Sequence, residues 1–245
     1  MEYRYETIPR NYEDFASGRV LYNAHGTTAF PVRLASEVAE RCFHILESKG
    51  SKGPYSLYDP CCGGAYLLTV IGFLHNDKIK RILASDSNGD VLGLAEKNLS
   101  LLSHNGLTKR KEQLKEYIHL YNKASHISAL ESAERLSHFI IGSTMEKVTT
   151  FQSDVTATNH NSELRNKLNI VITDLPYGDI VTWSSTSSDP IRDFFDHVFE
   201  ILDHSHSVLA VIADKSQKLK HEKFKRIELV KVGKRQVGIF EPIVQ

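Results

Sequence analysis

Tyr55-Ser56-Leu57-Tyr58-Asp59-Pro60-Cys61-Cys62-Gly63-Gly64-Ala65-Tyr66-Leu67-Leu68-Thr69-Val70 is the stretch that decides the fold of this 245-residue chain. Tyr55–Asp59 reads as a short strand running into a Cys-Cys-Gly-Gly turn, and Ala65–His75 follows as an apolar helix. A glycine pair between strand and helix lets the backbone bend sharply and come close to a ligand. Strand, tight turn and helix in immediate succession open a doubly wound α/β sheet.

The flanking sequence keeps that rhythm. Upstream, residues 1–30 are polar and aromatic and read as an extended arm, and Pro31 suits the first turn of a helix. Leu34, Val38, Cys42, Ile45 and Leu46 then share one helical face, ended by Gly50-Ser51-Lys52-Gly53-Pro54. Downstream, Arg81–Ser85 is a strand ending at Asp86, and Asn88–Ser103 the next helix. Residues 107–142 break the alternation with a helix-prone, charged stretch that reads as an inserted helical pair. Strands resume at Thr149–Ser153, ending at Asp154, and at Leu168–Thr173, whose apolar run suits a sheet centre. Asp189–Leu202 is an amphipathic helix and Ser207–Ala213 a fifth buried strand. Phe224–Val232, the turn Gly233-Lys234 and Arg235–Glu241 make a hairpin. The expectation is an α/β fold, a doubly wound and mostly parallel sheet closed by an antiparallel hairpin. Its organisation is an arm over 1–30 and a single domain over 31–245, with the insert at about 107–142.

With 41% hydrophobic and 24% charged residues, the composition is that of one soluble globular domain. No apolar run approaches the ~20 residues that cross a bilayer, and MEYRYETIPRNYEDF has no stretch that could serve as a secretory signal. Three cysteines, two of them adjacent, make neither a disulfide framework nor a zinc spacing. The expectation is a cytoplasmic monomer without membrane or metal. Net charge is zero, but Lys215 to Arg235 holds nine Lys and Arg against two Glu. That tail leaves a nucleic-acid partner open.

Ligands of open α/β sheets sit at the carboxyl ends of the strands, and four acids occupy such ends: Asp59, Asp86, Asp154 and Asp174. A dinucleotide site would want G-x-G-x-x-G under a pyrophosphate. Here the third glycine is missing, and Asp59 would stand against the phosphates. G-x-x-x-x-G-K-[ST] is absent as well. An acid before a Gly-rich turn better suits a cationic ligand such as S-adenosylmethionine, with its sulfonium and amino groups. Asp59, Cys62, Gly63 and Gly64 are the candidate cradle. Asp86, 23 residues beyond Gly63, is placed for ribose hydroxyls, and Asp154 for the adenine amino group. Cys61 and Cys62 read as small fillers of a crowded turn, since no neighbouring base is evident.

Asp174-Leu175-Pro176-Tyr177-Gly178 is the second informative turn. By itself it is a Pro-Tyr-Gly strand end; behind the first motif it reads as chemistry. A nitrogen on a base ring delocalises its lone pair and attacks a methyl group poorly. Asp174 and the Leu175 carbonyl could accept its N–H groups and localise that pair, while Pro176 fixes the geometry and Tyr177 stacks on the base. For a ring nitrogen such as guanine N1, Asp174 could instead take the proton. Trp183 could stack a neighbouring base or simply pack. Arg33, in the first turn of its helix, could reach a cofactor carboxylate or lie on the surface.

The acid and Gly-rich turn together with D-x-P-Y resemble the class I S-adenosylmethionine-dependent methyltransferases that modify nucleobase nitrogens. More narrowly, Ala16-Ser17-Gly18-Arg19-Val20-Leu21, Ala29-Phe30-Pro31-Val32-Arg33-Leu34-Ala35, Asp59-Pro60-Cys61-Cys62-Gly63 and Leu67-Leu68-Thr69-Val70 are similar to the avilamycin-resistance (AviRa-type) rRNA methyltransferases. Lys97-Asn98-Leu99, Leu101-Leu102-Ser103 and Thr173-Asp174-Leu175-Pro176-Tyr177-Gly178 extend the likeness over nearly the whole chain. The resemblance implies a Rossmann-like fold with a seven-stranded sheet. It also implies methylation of guanine in large-subunit rRNA, described as at N1, which lowers orthosomycin binding. By it, Asp59, Gly63, Asp86 and Asp154 would bind the cofactor, and Asp174, Pro176 and Tyr177 the target base. The family turn reads Gly-Ser-Gly, so Ala65 is expected to put a Cβ where the last glycine would face the cofactor. The middle residue of D-P-P-Y is Leu175 here, as in this family's own form.

The turn chemistry serves guanine N1 or the exocyclic N2. Three other readings compete: a base-amino methyltransferase of tRNA or DNA, a catalytically silent RNA-binding ribosome-assembly factor on the same fold, and an NAD-dependent oxidoreductase. Ala65 favours the silent factor and the intact Asp174–Tyr177 turn speaks against it. The missing glycine spacing weakens the oxidoreductase.

Overall fold

A computed structural model of the chain describes residues 2–24, 29–157, 164, 167–176 and 187–244. Its strands are β1 (Tyr55–Asp59), β2 (Ile79–Asp86), β3 (Lys147–Gln152), β4 (Ile170–Asp174), β5 (Val208–Asp214), β6 (Phe224–Val232) and β7 (Arg235–Pro242). The helices are α1 (Val32–Ser48), α2 (Tyr66–Leu74), α3 (Leu92–Ser100), α4 (His104–Tyr121), α5 (Ala124–Phe139) and α6 (Pro190–Ile201). They build a seven-stranded sheet in the order β3-β2-β1-β4-β5-β7-β6. β1 to β5 run parallel, and β7 lies antiparallel to both β5 and β6. The chain works outward from β1 to β3 and then returns to β4 on the other side, so the topological switch lies between β1 and β4. Crevices at such switch points receive ligands.

Successive strand side chains point to opposite faces, and the two cores follow that period. Leu57, Ile170, Ile172, Ala210, Ile212, Val237 and Ile239 pack on one face, with α1, α2, α3 and the insert. Tyr58, Val171, Leu209, Val211 and Phe240 pack on the other, against Phe194, Phe195, Val198 and Ile201 of α6. With both faces covered, strands such as β4 and β5 carry almost unbroken apolar runs.

The region read as one helix from Asn88 to Ser103 divides. Gly89–Val91 is a 3-10 turn, α3 ends at Ser100, and Ser103 caps α4, its hydroxyl accepting the Gly106 N–H at 3.0 Å. The two helices meet in a tight corner at Gly106. A Cβ there would stand 2.0 Å from the Ser100 carbonyl oxygen.

Residues 2–24 form a 3-10 turn (Glu13–Phe15) and otherwise irregular chain, bound closely to the sheet domain. Phe15, Val20 and Leu21 are buried in its core. The Glu37 carboxylate accepts three successive backbone N–H groups, from Arg4, Tyr5 and Glu6, at 2.8, 2.9 and 2.9 Å. Burial alone would raise its pKa; those three donors and the Arg41 guanidinium hold it below the usual carboxylate range. Arg110 binds the Val20 and Arg19 carbonyls further along. Among the described residues no helix is long and apolar enough to cross a membrane, and no three His, Cys, Asp or Glu cluster as a metal site would need.

Gly106→Ala is expected to destabilise the protein by about 1–3 kcal/mol, because the Cβ meets backbone that cannot step aside. Equilibrium urea unfolding checks it, with Gly93→Ala, where a Cβ meets nothing within 4 Å, as the control.

Candidate active site

The switch-point crevice begins with the turn after β1. Gly63 has φ +50°, in the left-handed region, and a Cβ built on it would meet nothing within 4 Å. Its open side therefore faces unfilled space. Its N–H donates to Asp86 Oδ2 at 2.9 Å, while Asp86 Oδ1 accepts from the Asn88 N–H at 3.0 Å. The acid at the end of β2 is thus oriented by the turn that it braces.

The other turn residues look inward. Cys62 packs its side chain into the core and donates its N–H to the Ser85 carbonyl at 2.9 Å. Burial pushes both the Cys61 and Cys62 thiols up, so neither is a ready thiolate. At Gly64 the place of a Cβ is taken by Leu94 Cδ2, 2.7 Å away, so this glycine serves the packing of α3. Ala65 also lies in the left-handed region, at φ 55°, but it is fully buried. Its Cβ points into the core, contrary to the expectation that it would face the cofactor. A methyl at that position takes no space from the crevice.

Asp59 is 2% exposed, and its Oδ1 accepts the Cys61 N–H at 3.0 Å. Burial raises its pKa to about 7; the Thr173 hydroxyl and the Cys61 amide act against that, and the charges of Asp86 and Asp174 add to it. Asp154 lies two residues past the end of β3, not at the strand terminus that the sequence suggested. Its Oδ1 accepts the Thr156 N–H at 2.8 Å and the Thr156 hydroxyl at 2.6 Å, which fixes its carboxylate locally.

Across the crevice, Asp174 ends β4, and the Leu175 N–H donates to the Ile212 carbonyl at 2.9 Å. The Pro176 carbonyl accepts from Gln217 Nε2 at 3.3 Å. Gln217 Oε1 in turn accepts the Asp214 N–H at 3.0 Å, tying this turn to the end of β5. Arg235, the first residue of β7, places its Nε 4.0 Å from Asp174 Oδ2. Tyr177 and Trp183 fall outside the described residues. Arg33 is committed elsewhere: its guanidinium donates to the Glu6 carbonyl at 3.0 and 2.7 Å and stacks on Tyr3 at 3.8 Å. It clamps the arm, which corrects its assignment as a candidate ligand.

Three positioning residues escaped the sequence reading. Asn98 on α3 joins the arm to the glycine turn, accepting the Tyr22 N–H at 2.7 Å and donating to the Tyr22 and Gly64 carbonyls at 3.1 and 2.9 Å. Gln217 and Arg235 come from the loop after β5 and from the hairpin. Only Arg235 had a readable signal: a hairpin strand antiparallel to β5 must begin where β5 ends.

Two strand ends thus meet at the switch point, one with a glycine turn beside a buried acid and one with an acid-Leu-Pro turn. A family model described as rRNA methyltransferase AviRa matches residues 1–235. The chain belongs to that family. A curated 23S rRNA (guanine(2535)-N(1))-methyltransferase of Streptomyces viridochromogenes is 36% identical over 239 residues, covering 95% of this chain and 93% of the relative. A solved structure of the rRNA methyltransferase AviRa from the same organism superposes with a TM-score of 0.85 at 35% identity, over 97% of this chain and 95% of that one. TrmN from Thermus thermophilus, at 12% identity, has a TM-score of 0.50 over 85% of this chain and 49% of its own, a likeness of fold. Membership makes the chain an rRNA methyltransferase, and the family requires a methyl donor.

The raised pKa of Asp59 fixes the sign of a pH effect. Between about pH 4 and 7 the folded chain keeps a proton that the unfolded chain has lost, so rising pH favours unfolding through this group. Above pH 7 the penalty is complete. Asp59→Asn is expected to stabilise the protein at pH 8 by on the order of 3 kcal/mol and to leave it nearly unchanged at pH 4. Urea unfolding at the two pH values tests this; equal effects at both would remove the burial argument.

Proposed function

We propose that this enzyme transfers the methyl group of S-adenosylmethionine to N1 of a guanine in large-subunit rRNA, acting as a cytoplasmic monomer. The observation that carries the reading is the crevice itself, with the open Gly63 cradle on one side and the Asp174-Leu175-Pro176 turn on the other. The donor supplies an electrophilic methyl group on a sulfonium sulfur. The residues present fit such a donor. Gly63 leaves room for a close approach, Asp86 accepts from ribose hydroxyls, Asp154 accepts from the adenine amino group, and Asp59 offsets cationic charge. On the substrate side Asp174 accepts the N1 proton, Pro176 fixes the turn, and Tyr177 holds the extruded base by stacking. The choice of N1 over N2 follows the name of the Streptomyces relative, and lowered orthosomycin binding is what the family resemblance implies for the modification.

The long contact with rRNA suits the far edge of the sheet. Lys225, Arg226, Lys231 and Lys234 are exposed along β6 and its turn, where they can neutralise phosphates without reading bases.

Asp174→Asn is expected to lower methyl transfer to large-subunit rRNA by about 10²–10⁴ while leaving S-adenosylmethionine binding intact. Radiolabel transfer and calorimetry measure the two; label appearing instead in tRNA from wild-type enzyme would overturn the substrate. A cation bound beside Asp59 favours its ionised form and expels the proton held near pH 7. S-adenosylmethionine affinity is therefore expected to rise about tenfold from pH 6 to pH 8. Calorimetry across that range should show the rise in wild type and its absence in Asp59→Asn.

A further inference from the structure

The helical insert turns back on itself at a tip that carries exposed rings. Tyr117 and Tyr121, on successive turns of α4, meet His126 of α5, the three ring centres lying 5.5 to 6.2 Å apart. His126 Nδ1 is 3.2 Å from the Tyr117 carbonyl oxygen, which ties the two helices together. These contacts use only part of each tyrosine: Tyr121 is 58% exposed and Tyr117 37%, and Leu120 and Ile127 are exposed as well. Lys123 Nζ stands 5.9 Å from the centre of the Tyr121 ring. From Tyr117 to Leu130 there is no Asp or Glu, in a chain that holds 30 of them.

Contacts at the two ends of the insert set the place of this tip. Past the C-terminal end of α5, the Thr144 N–H donates to the Asn76 carbonyl at 3.0 Å, just before β2 begins. Phe139 meets Phe15 there, and Phe15 meets Phe73 of α2. That end is pinned where the parallel strands start. Midway along α4, Gln113 Oε1 accepts the Tyr22 hydroxyl at 2.9 Å, and Asn98 joins Tyr22 to Gly64 of the glycine turn. Tyr121 lies eight residues beyond Gln113, about 12 Å further along the helix axis. The tip therefore stands past the strap, on the side where the crevice opens. α4 packs on α3 and α3 on β3, at the opposite end of the sheet from the exposed lysines of β6.

We propose that the tip of the insert is a second rRNA-binding surface, on which Tyr121 stacks an unpaired base near the target nucleotide while Lys123 neutralises its phosphate. The inference rests on rRNA as the substrate and not on which guanine nitrogen is methylated. Proteins take hold of unpaired RNA by stacking its bases on aromatic rings beside cations, a contact that tolerates any sequence because every base has a π face. Tyr121 offers such a ring, and Lys123 such a cation. The stretch without acids, carrying Lys123 with His119 and His126, is the charge complement of a phosphate chain. A purely apolar docking face for another protein needs no such exclusion of acids. With the β6 lysines at the other end of the sheet, the RNA is held on both sides of the crevice and the target base comes between.

Tyr121→Ala, Tyr121→Leu and Tyr121→Phe in the full chain separate stacking from apolar packing. Filter binding to deproteinised large-subunit rRNA is expected to weaken about tenfold in Tyr121→Ala and Tyr121→Leu. Tyr121→Phe should bind like wild type, because stacking needs the ring and not the hydroxyl. KM for the rRNA should rise by the same factor, with kcat at saturating RNA and S-adenosylmethionine affinity unchanged. Lys123→Gln should lower the slope of log affinity against log salt by about one, the loss of a single phosphate contact. Wild-type RNA affinity in Tyr121→Ala would overturn the proposal. So would wild-type affinity in Tyr121→Leu, which marks an apolar face for a protein partner. A wild-type dimer in sedimentation that Tyr121→Ala dissolves, with rRNA affinity kept, would overturn it in favour of a second copy of this chain. A fall in kcat with KM unchanged would mark an insert that only props the crevice. Should Tyr121→Ala fail to fold, Tyr121→Leu and the salt slope of Lys123→Gln decide alone. Wild type that binds rRNA but methylates none would sink the proposed reaction, and the binding comparison would still decide this inference.

Discussion

The hydrogen bond from the Gly63 N–H to Asp86 Oδ2, 2.9 Å long, is the contact on which the site depends. It joins the turn after β1 to the end of β2, and so fixes the gap between the glycine cradle and the acid beside it. A side chain at position 63 would suffer the left-handed φ and would project into the crevice. Behind Gly63 the turn is held by quite different forces. Gly64 is pressed by Leu94, Cys62 sits in the core, and Ala65 accepts a left-handed backbone because burial surrounds its methyl group. One face of a four-residue turn is therefore open and polar, and the other is closed and apolar.

The arm is part of this construction, although it contains almost no regular structure. Glu37 captures its first turn through three N–H groups, and Arg33 and Arg110 bind carbonyls along it. Asn98 ends the series by holding Tyr22 and Gly64 with one amide. Irregular chain carries unpaired backbone groups that cannot be buried without partners. Here side chains of α1, α3 and α4 supply those partners, and the result is a strap across the glycine turn. Substituting Asn98 would therefore loosen the strap and the turn together.

Most of the fold was legible because strand and helix periods alternate so regularly. The strand and helix over 55–75, the helical insert and the hairpin all sit within a few residues of where apolar spacing and turn residues put them. The misreadings share a cause. Ser103 looks like the last residue of one helix and is the cap of the next, a distinction made by its hydroxyl rather than by periodicity. Arg33, in the first turn of its helix, could reach a cofactor carboxylate or lie on the surface, and instead it binds a carbonyl about 27 residues upstream in sequence. The strand-end acids were visible as a set, because strand ends can be counted in one dimension. Asn98, Gln217 and Arg235 reach the site from other elements, and of the three only Arg235 could be placed, from the hairpin strand that begins where β5 ends.

The two acids facing each other across the switch point show how one residue type is given two environments. Asp59 is sealed behind the turn, where burial raises its pKa to about 7 and neighbouring carboxylates press the same way. It is costly to ionise there, and a positive charge placed beside it would lower that cost. Asp174 stands partly exposed with a guanidinium at 4.0 Å, and so has a cation in place before any ligand binds. The difference comes from topology. β1 lies inside the parallel sheet, with β2 and β4 as its neighbours, and can offer Asp59 only apolar packing and other strand ends. β4 lies next to β5, and β7 beyond it runs the opposite way, so its first residue, rather than its last, comes to the carboxyl edge. An all-parallel sheet would have delivered another strand terminus there. The antiparallel hairpin delivers Arg235, and with it a cation beside Asp174.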